Sequence, residues 1–183
     1  MEKPDAPSCE RNREPILAVL RDHFADRHAV LEIGSGTGQH AVFFAAALPH
    51  LRWQASDRAP NLTDSRAGLH EAALPNTPAP IAFDVSADWP QQRFDAVFSA
   101  NTLHIMSWPE VERLFAGLPG IMADDFTLVV YGPFNYGGRY TSESNAAFDR
   151  SLRERDAASG IRDIEAVNRL AETQGLALTT DHA

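Results

Sequence analysis

Three glycines at alternate positions, with one carboxylate just before them, carry the clearest chemical signal in this chain. An apolar stretch at 30–33 contains Glu32 and leads directly into Gly34, Gly36 and Gly38. Glycine has no Cβ atom, so its backbone can turn with positive φ and can let a ligand approach closely. The pattern predicts a turn from strand to helix that binds a nucleotide-type ligand. Glu32 is placed to accept hydrogen bonds or to face a cation.

The spacing of the glycines limits which ligand the turn can hold. A dinucleotide-binding turn of the G-x-G-x-x-G type would need glycine at position 39, where the sequence has Gln39. A phosphate-binding loop of the G-x-x-x-x-G-K-[ST] type would need a nearby lysine, and Lys3 is the only lysine in the chain. The pattern that remains is E-x-G-x-G-x-G. Its acid favours a ligand with hydrogen-bond donors or positive charge over one with phosphates.

Two further carboxylates follow the next two predicted strands. Asp57 comes after a strand at 52–56, and Asp84 comes after a strand at 81–83. In open α/β sheets, ligands bind beyond the carboxyl ends of the strands. An ionised carboxylate only accepts hydrogen bonds, so Asp57 suits the two hydroxyls of a ribose. Asp84 suits the exocyclic amine of adenine, with the Val85 amide facing a ring nitrogen. Each acid alone is also typical of a helix cap or a turn.

The elements that must position these residues alternate between strand and helix patterns. Short apolar runs rich in β-branched and aromatic residues predict strands, and longer periodic segments with proline starts or glycine stops predict helices. This alternation predicts a mostly parallel sheet in an α/β fold, with helices on both faces. The predicted strands are 30–33, 52–56, 81–83, 94–99, 126–131 and 176–180, and the predicted helices are 15–24, 39–48, 61–73, 109–118, 142–155 and 164–174.

Composition limits the class of protein. The 183 residues fit a single domain, 1–183, in which 1–28 forms an N-terminal cap and helix. The hydrophobic fraction of 44% and the charged fraction of 22% are ordinary for a globular protein. No apolar run approaches the roughly 20 residues of a membrane span, so no membrane partner is expected.

Charge and rare residue types argue against several partners. The formal net charge is −9, from 16 basic and 25 acidic residues, which argues against nucleic acid. Cys9 is the only cysteine and the first residues lack a signal-peptide pattern, so a cytoplasmic location is expected. The seven histidines form no H-x-H or H-E-x-x-H pattern, so no metal site is expected. The sequence leaves the oligomeric state open.

The glycine motif and the acids at the strand ends resemble the first motifs of the class I S-adenosylmethionine-dependent methyltransferases. The wider chain is similar to one branch of that superfamily, the domain-of-unknown-function 938 or methyltransferase-like 26 family. The segments that carry this similarity are 8–16, 31–41, 100–105, 131–134 and 144–149. The resemblance implies a Rossmann-like fold, S-adenosylmethionine as cofactor and methyltransferase activity, but no particular acceptor. Such sheets ordinarily end with a seventh, antiparallel strand, which this sequence is expected to lack.

Methyl transfer from a sulfonium requires alignment of donor and acceptor and exclusion of water, and no nucleophilic residue on the enzyme. A neutral acceptor oxygen or nitrogen needs a base, for which His104 is the candidate, in the loop after the fourth strand. A buried imidazole that only satisfies backbone groups is the competing interpretation. Asn101 in the same loop is a candidate for hydrogen bonding to cofactor or acceptor.

Other residues complete the hypothesis. Arg13 is a candidate partner for the cofactor carboxylate, because a guanidinium binds a carboxylate with two parallel hydrogen bonds. A loop with two adjoining glycines supplies the candidates for an acceptor pocket, which are Tyr136, Arg139 and Tyr140. The leading hypothesis is methyl transfer to a small molecule. A non-catalytic S-adenosylmethionine-binding or interaction module is the alternative, and a dinucleotide-dependent oxidoreductase is disfavoured by Gln39.

Overall fold

Helices and strands alternate along residues 7–182, the part of the chain that the computed structural model describes. The first six residues of the expected N-terminal segment 1–28 lie outside this range. In chain order the elements are α1 (Pro7–His23), β1 (Ala29–Ile33), α2 (Gln39–Ala47), β2 (Arg52–Asp57), α3 (Leu62–Ala72), β3 (Ile81–Ala82), β4 (Phe94–Ala100), α4 (Trp108–Gly117), β5 (Met122–Tyr131), β6 (Phe134–Asn135), α5 (Glu143–Arg155), β7 (Arg162–Asp163) and α6 (Ile164–Thr173).

The described residues form two compact units. Unit 1 contains the residues up to Ala100 together with Ile121–Tyr131. Unit 2 contains Asn101–Gly120 and the residues from Gly132 onward. The expectation of one domain over 1–183 stays a prediction. None of the helices in the described part of the chain has the length and apolar character needed to cross a membrane.

Unit 1 contains a five-stranded sheet in the order β3-β2-β1-β4-β5, and every neighbouring pair is parallel. Ile33 at the end of β1 lies beside Ser56 of β2 and Ser99 of β4. The carboxyl ends of these strands therefore meet at one edge, as the alternation of strands and helices predicts. This edge brings the residues after β1 next to the end of β2.

A hydrophobic core on one face of the sheet holds α1, α2 and α3. Phe44 of α2 packs against Trp53 of β2 and Phe98 of β4, with ring centroids 5.6 and 5.4 Å away. All three rings are fully buried. Burial of one such phenylalanine stabilises the fold by about 1.5–3 kcal/mol. These contacts fix α2, the helix that follows the glycine turn, to β2 and β4 of the sheet.

Helix α1 differs most from the sequence prediction, which places an amphipathic helical segment at 15–24. In the structure α1 begins at Pro7, and Pro15 lies inside it. Proline removes one helix hydrogen bond, but contacts on either side keep α1 continuous. Among them, His40 Nε2 donates to Asn12 Oδ1 over 2.8 Å in a buried pair between α1 and α2.

The predicted strand at 176–180 is wrong, because residues 176–182 have no regular secondary structure. Helix α6 ends as predicted, with Gly175 at φ 79° and the Leu176 amide donating to the Ala171 carbonyl. Strand β5 is longer than predicted. It begins at Met122, and a register shift against β4 accommodates the added residues. The expected lack of a seventh strand stays a prediction.

Unit 2 contains α4, α5, α6 and a short parallel pair formed by β6 and β7. Ser107 opens α4 with a capping box, in which its amide donates to the Glu110 carboxylate over 2.7 Å. Ser142 opens α5 by accepting from the Asn145 amide over 3.1 Å. Side-chain acceptors at helix starts satisfy amides that have no partner inside the helix.

Candidate functional site

The turn after β1 has the backbone shape that its glycines predict. Gly34, Gly36 and Gly38 have φ angles of 78°, 54° and 79°. The Gly34 and Ser35 amides donate to the Ser56 carbonyl over 3.0 and 2.9 Å. These hydrogen bonds join the turn to the end of β2, so its shape is fixed before any ligand binds.

Gly36 and Gly38 have different surroundings. A Cβ atom on Gly36 would meet nothing within 4 Å, whereas one on Gly38 would lie 3.2 Å from Ser65 Cα in α3. Gly36 therefore leaves open space against which a ligand can lie, and Gly38 allows α3 to pack closely on the turn.

This difference predicts unequal effects of alanine at the two glycines. Positive φ costs an L-residue about 1–2 kcal/mol, and overpacking against backbone adds about 1–3 kcal/mol. Gly38→Ala is therefore expected to lower the free energy of unfolding more than Gly36→Ala, as measured by urea denaturation. Equal losses in the two variants would contradict the assignment of Gly38 to packing.

Asp57 closes the turn from the end of β2. Its Oδ2 accepts from the Gly36 amide over 2.7 Å. Its Oδ1 accepts from the Arg58 amide over 2.7 Å and from Asn61 Nδ2 over 2.8 Å. A carboxylate has about four acceptor positions, so three are in use. One position remains, and the flexible Asn61 side chain can release a second.

Asp84 lies just beyond β3. Its Oδ1 accepts from the Ser86 amide over 2.8 Å, and its Oδ2 lies 3.5 Å from Arg58 Nε. This is the turn geometry that aspartate favours. Within the described residues, the amide of the adjoining Val85 has no hydrogen-bond partner. A donor and an acceptor are thus side by side, as the edge of an adenine requires.

Glu32 lies inside unit 1, where its side chain is 2% exposed. Trp53 Nε1 donates to Glu32 Oε2 over 2.9 Å. Burial raises the pKa of Glu32 to about 7, and hydrogen bonds from Trp53 and Ser35 offset only part of that effect. The buried carboxyl group of Glu32 is therefore in contact with the glycine turn through its hydrogen bond with Ser35.

The raised pKa of Glu32 predicts how stability depends on pH. Between its ordinary pKa of 4.5 and the folded value of about 7, the folded protein holds a proton that the unfolded chain has lost. The contribution of Glu32 to the free energy of unfolding therefore falls by up to about 3 kcal/mol as pH rises from 4.5 to about 7. Glu32→Gln is expected to remove this decline, measured as urea unfolding at pH 5 and pH 8. An equal decline in both proteins would contradict it.

Arg13 projects from α1 toward the start of α2. Its guanidinium carbon lies 4.8 Å from the centroid of the Phe43 ring. Its Nε is buried without a hydrogen-bond partner among the described residues. Arg13 and Gly38 both line a cavity of about 550 Å³ bounded by α1, α2 and α3. A buried donor without an acceptor, beside the last glycine of the turn, suits an anionic ligand group.

In unit 2, His104 lies in a loop whose first residue, Asn101, has φ 55°. His104 is only 6% exposed. Its ring packs edge-on against Phe148 at 5.2 Å, and its Nδ1 lies 3.7 Å from where a Cβ on Gly132 would be. Within the described residues, neither its ring nitrogens nor the Asn101 side chain has a hydrogen-bond partner. The described residues thus provide no backbone group that the imidazole satisfies, and the role of His104 stays a prediction.

The charge state of His104 follows from its surroundings. Burial, and then the positive charges of Arg162 and Arg155, lower its pKa from 6.5 to about 4. The imidazole is therefore neutral at pH 7 and able to accept a proton or a hydrogen bond.

The three predicted acceptor-pocket residues are exposed in unit 2. The backbones of Tyr136 and Arg139 pair through two hydrogen bonds of 3.1 Å. Tyr136 donates its hydroxyl to Asp181, and Tyr140 donates its hydroxyl to Asp149. Their rings stay exposed, and the Arg139 guanidinium has no partner among the described residues.

The structure distributes the predicted residues between the two units. Unit 1 holds most of the candidates for cofactor binding, which are Arg13, Glu32, Gly34, Gly36, Gly38, Asp57, Asp84 and Val85. Unit 2 holds the remaining one, Asn101, together with His104, Tyr136, Arg139 and Tyr140. Sequence analysis missed Asn61 as a partner of Asp57, and Arg162 as a charged neighbour of His104. Across residues 7–182 there is no group of three or more His, Cys, Asp or Glu side chains arranged to hold a metal ion.

The fold is shared with methyltransferases of known structure. An O-methyltransferase family protein from Burkholderia thailandensis is similar with a TM-score of 0.83 and 16% identity, over 96% of this chain and 54% of that protein. Mitomycin 7-O-methyltransferase is similar with a TM-score of 0.80 and 19% identity, over 94% of this chain and 49% of that protein. Human N-acetylserotonin methyltransferase, solved with S-adenosylmethionine, is similar with a TM-score of 0.76 and 14% identity, over 92% of this chain and 47% of that protein.

This chain spans about half the length of those proteins. The likeness shows that it has their Rossmann-like α/β fold, with a parallel sheet. A family model described as "Protein of unknown function (DUF938)" matches residues 3–183. The chain therefore belongs to the DUF938 family.

Proposed function

We propose that this chain is an S-adenosylmethionine-dependent methyltransferase that acts on a small molecule. The observation that carries the proposal is the glycine turn, which is open at Gly36 and hydrogen-bonded to Asp57, in a fold shared with methyltransferases. Kinship with methyltransferase-like 26 proteins, a cytoplasmic location and the absence of a nucleic-acid partner are parts of the same proposal.

The residues of unit 1 fit this cofactor. Asp57 has an acceptor position left for a ribose hydroxyl and gains a second when Asn61 turns away. Asp84 suits the adenine edge together with the Val85 amide, which has no partner among the described residues. Arg13, whose buried Nε lacks an acceptor within the described part of the chain, suits the carboxylate of the methionine group. We thus propose partners for three separate parts of the cofactor.

S-adenosylmethionine supplies an electrophilic methyl group on a positively charged sulfur. The chain's own residues then need only orient the acceptor, exclude water and take its proton. His104 is neutral at pH 7 and its ring nitrogens are available, so we propose that it takes this proton. Phe148 gives His104 an apolar neighbour that limits water. Asn101, Tyr136, Arg139 and Tyr140 are proposed to orient the acceptor, and Asn101 also to contact the cofactor.

A hydroxyl group is the acceptor that we favour. Two of the structures similar to this chain are described as O-methyltransferases, and a neutral hydroxyl is a group whose methylation requires a base. The test is transfer of a radiolabelled methyl group from S-adenosylmethionine to a protein-free extract of small molecules. We expect a labelled product that forms with the parent chain and is lost with Asp57→Ala. Cofactor binding without transfer to any extract would instead favour the non-catalytic binding module.

A further inference from the structure

The loop that carries His104 is hydrogen-bonded to a segment of unit 2 that begins at Ser159. Four successive carbonyls of this loop, residues 103–106, accept hydrogen bonds from residues 159–162. The Leu103 carbonyl accepts from Arg162 Nε over 3.2 Å, the His104 carbonyl from the Gly160 amide over 2.8 Å, the Ile105 carbonyl from Ser159 Oγ over 3.0 Å, and the Met106 carbonyl from the Arg162 guanidinium. We call Ser159, Gly160 and Arg162 the clamp.

The clamp is itself fixed by a buried carboxylate. Asp149 of α5 is 2% exposed, and it accepts from the Ile161 amide and from Arg153 Nε over 2.7 Å each. Burial raises the pKa of Asp149, but the hydrogen bonds from Arg153, Ile161 and Tyr140 outweigh burial and hold it below its ordinary value. The charge that anchors the clamp is therefore present at neutral pH. Gly160 has φ 151°, and a Cβ there would lie 2.9 Å from Asp149 Oδ1, so the segment fits this anchor closely.

The clamp matters because no hydrogen bond within residues 7–182 fixes the imidazole itself. The ring nitrogens of His104 have no partner in the described part of the chain, and the ring only packs against Phe148 and near Gly132. Its orientation therefore depends on this packing and on the backbone of its loop. Arg162 supplies the largest share of that backbone support, because its guanidinium binds two of the four carbonyls and also the Ala158 carbonyl.

We propose that Arg162 is the positioning residue of His104: its guanidinium fixes the loop backbone, and with it the orientation of an imidazole that has no hydrogen-bond partner among the described residues. This inference rests on the proposed function, in which His104 takes the acceptor's proton.

A matched control is available within unit 2. The charged groups that face His104 are Arg162 from β7 and Arg155 from α5. Arg155 contributes charge only, because its Nε donates to the Ser151 carbonyl of its own helix. Arg155→Gln therefore removes a comparable charge and leaves the clamp intact. Arg162→Lys keeps the positive charge but disrupts the clamp, because a lysine ammonium lacks the planar set of N–H donors with which the guanidinium binds several carbonyls.

The first experiment uses the full chain without ligands. Amide hydrogen exchange at Gly160, whose N–H donates to the His104 carbonyl, reports on the stability of the clamp. NMR titration of the His104 ring gives its pKa, which reports on the nearby positive charges of Arg162 and Arg155. We expect Arg162→Gln and Arg162→Lys to increase Gly160 exchange at least tenfold. We expect Arg155→Gln and Arg162→Gln to raise the pKa of His104, and Arg162→Lys to leave it low. Unchanged Gly160 exchange in both Arg162 variants would overturn the proposal.

The second experiment measures labelled methyl transfer from S-adenosylmethionine to the small-molecule extract. We expect a loss of at least tenfold in Arg162→Gln and Arg162→Lys, a rate within twofold of the parent in Arg155→Gln, and unchanged cofactor affinity in all three. Equal losses in Arg155→Gln and Arg162→Gln would overturn the positioning role. A parent chain that transfers no label would count against the proposed function, while the exchange experiment would still decide whether Arg162 holds the loop.

Discussion

Replacement of His104 by glutamine is expected to lower the rate of methyl transfer by about 100-fold to 10,000-fold, the usual contribution of a general base. Glutamine has a similar shape and can still form hydrogen bonds, but it cannot take a proton from a hydroxyl. Affinity for S-adenosylmethionine should stay within about twofold, because the cofactor residues of unit 1 are unchanged. The measurement is the initial rate of label transfer, together with calorimetric titration of the cofactor.

A suitable control for this variant is His70→Gln, since His70 is an exposed histidine of α3. It should transfer methyl groups at the parent rate. If His104→Gln also kept the parent rate, His104 would not be the base, and the competing interpretation of a merely structural imidazole would be restored.

The pH profile gives an independent check on the same residue. Burial and the charges of Arg162 and Arg155 lower the pKa of His104 from 6.5 to about 4. The neutral form is the one that can take a proton, so kcat/KM should stay high as pH falls through 6.5 and decline only near pH 4. An acidic limb near 6.5 would show that His104 is less buried in solution, or that another group limits the rate.

Replacement of Asp57 by alanine is expected to weaken binding of S-adenosylmethionine by about 5-fold to 150-fold, or about 1–3 kcal/mol. The variant removes the proposed acceptor for the ribose hydroxyls and leaves the Gly36 amide without its partner. The fold should survive, because Gly34 and Ser35 remain joined to Ser56. Calorimetric titration gives the affinity, and circular dichroism checks the fold.

Asn61→Ala tests the proposed ribose-binding role of Asp57 separately from its hydrogen bond with the Gly36 amide. This change removes a donor to the Asp57 carboxylate but leaves the carboxylate in place. Binding should therefore be retained, or become slightly tighter, because the ligand no longer has to displace an amide. Parent-like affinity in Asp57→Ala would contradict the assignment of Asp57 to the ribose.

Local spacing made the backbone shape of the glycine turn predictable. The positive φ angles at Gly34, Gly36 and Gly38 can be predicted from the sequence, because glycine adopts them at little cost. The position of Asp57 beside the glycine turn was predictable because parallel strands end at a common edge. The predicted helix start at Pro15 was wrong because the contacts that carry α1 past it, such as Asn12 to His40, join residues far apart in the sequence.

The surroundings of His104 were not predictable in the same way. The clamp binds backbone carbonyls, which every residue has, so no residue type in the loop marks it. Arg162 and Leu103 are 59 positions apart, and nothing in their local sequence connects them. Glu32 illustrates the same limit: its position was evident, but its burial depends on Trp53 in the next strand.

The measurement that tests the central claim most directly is calorimetric titration of S-adenosylmethionine and S-adenosylhomocysteine into the parent chain. The account predicts saturable binding of both compounds at one site per chain, and weaker binding in Asp57→Ala. If neither compound bound, the glycine turn would not be a cofactor site, and the proposal of methyl transfer would be contradicted.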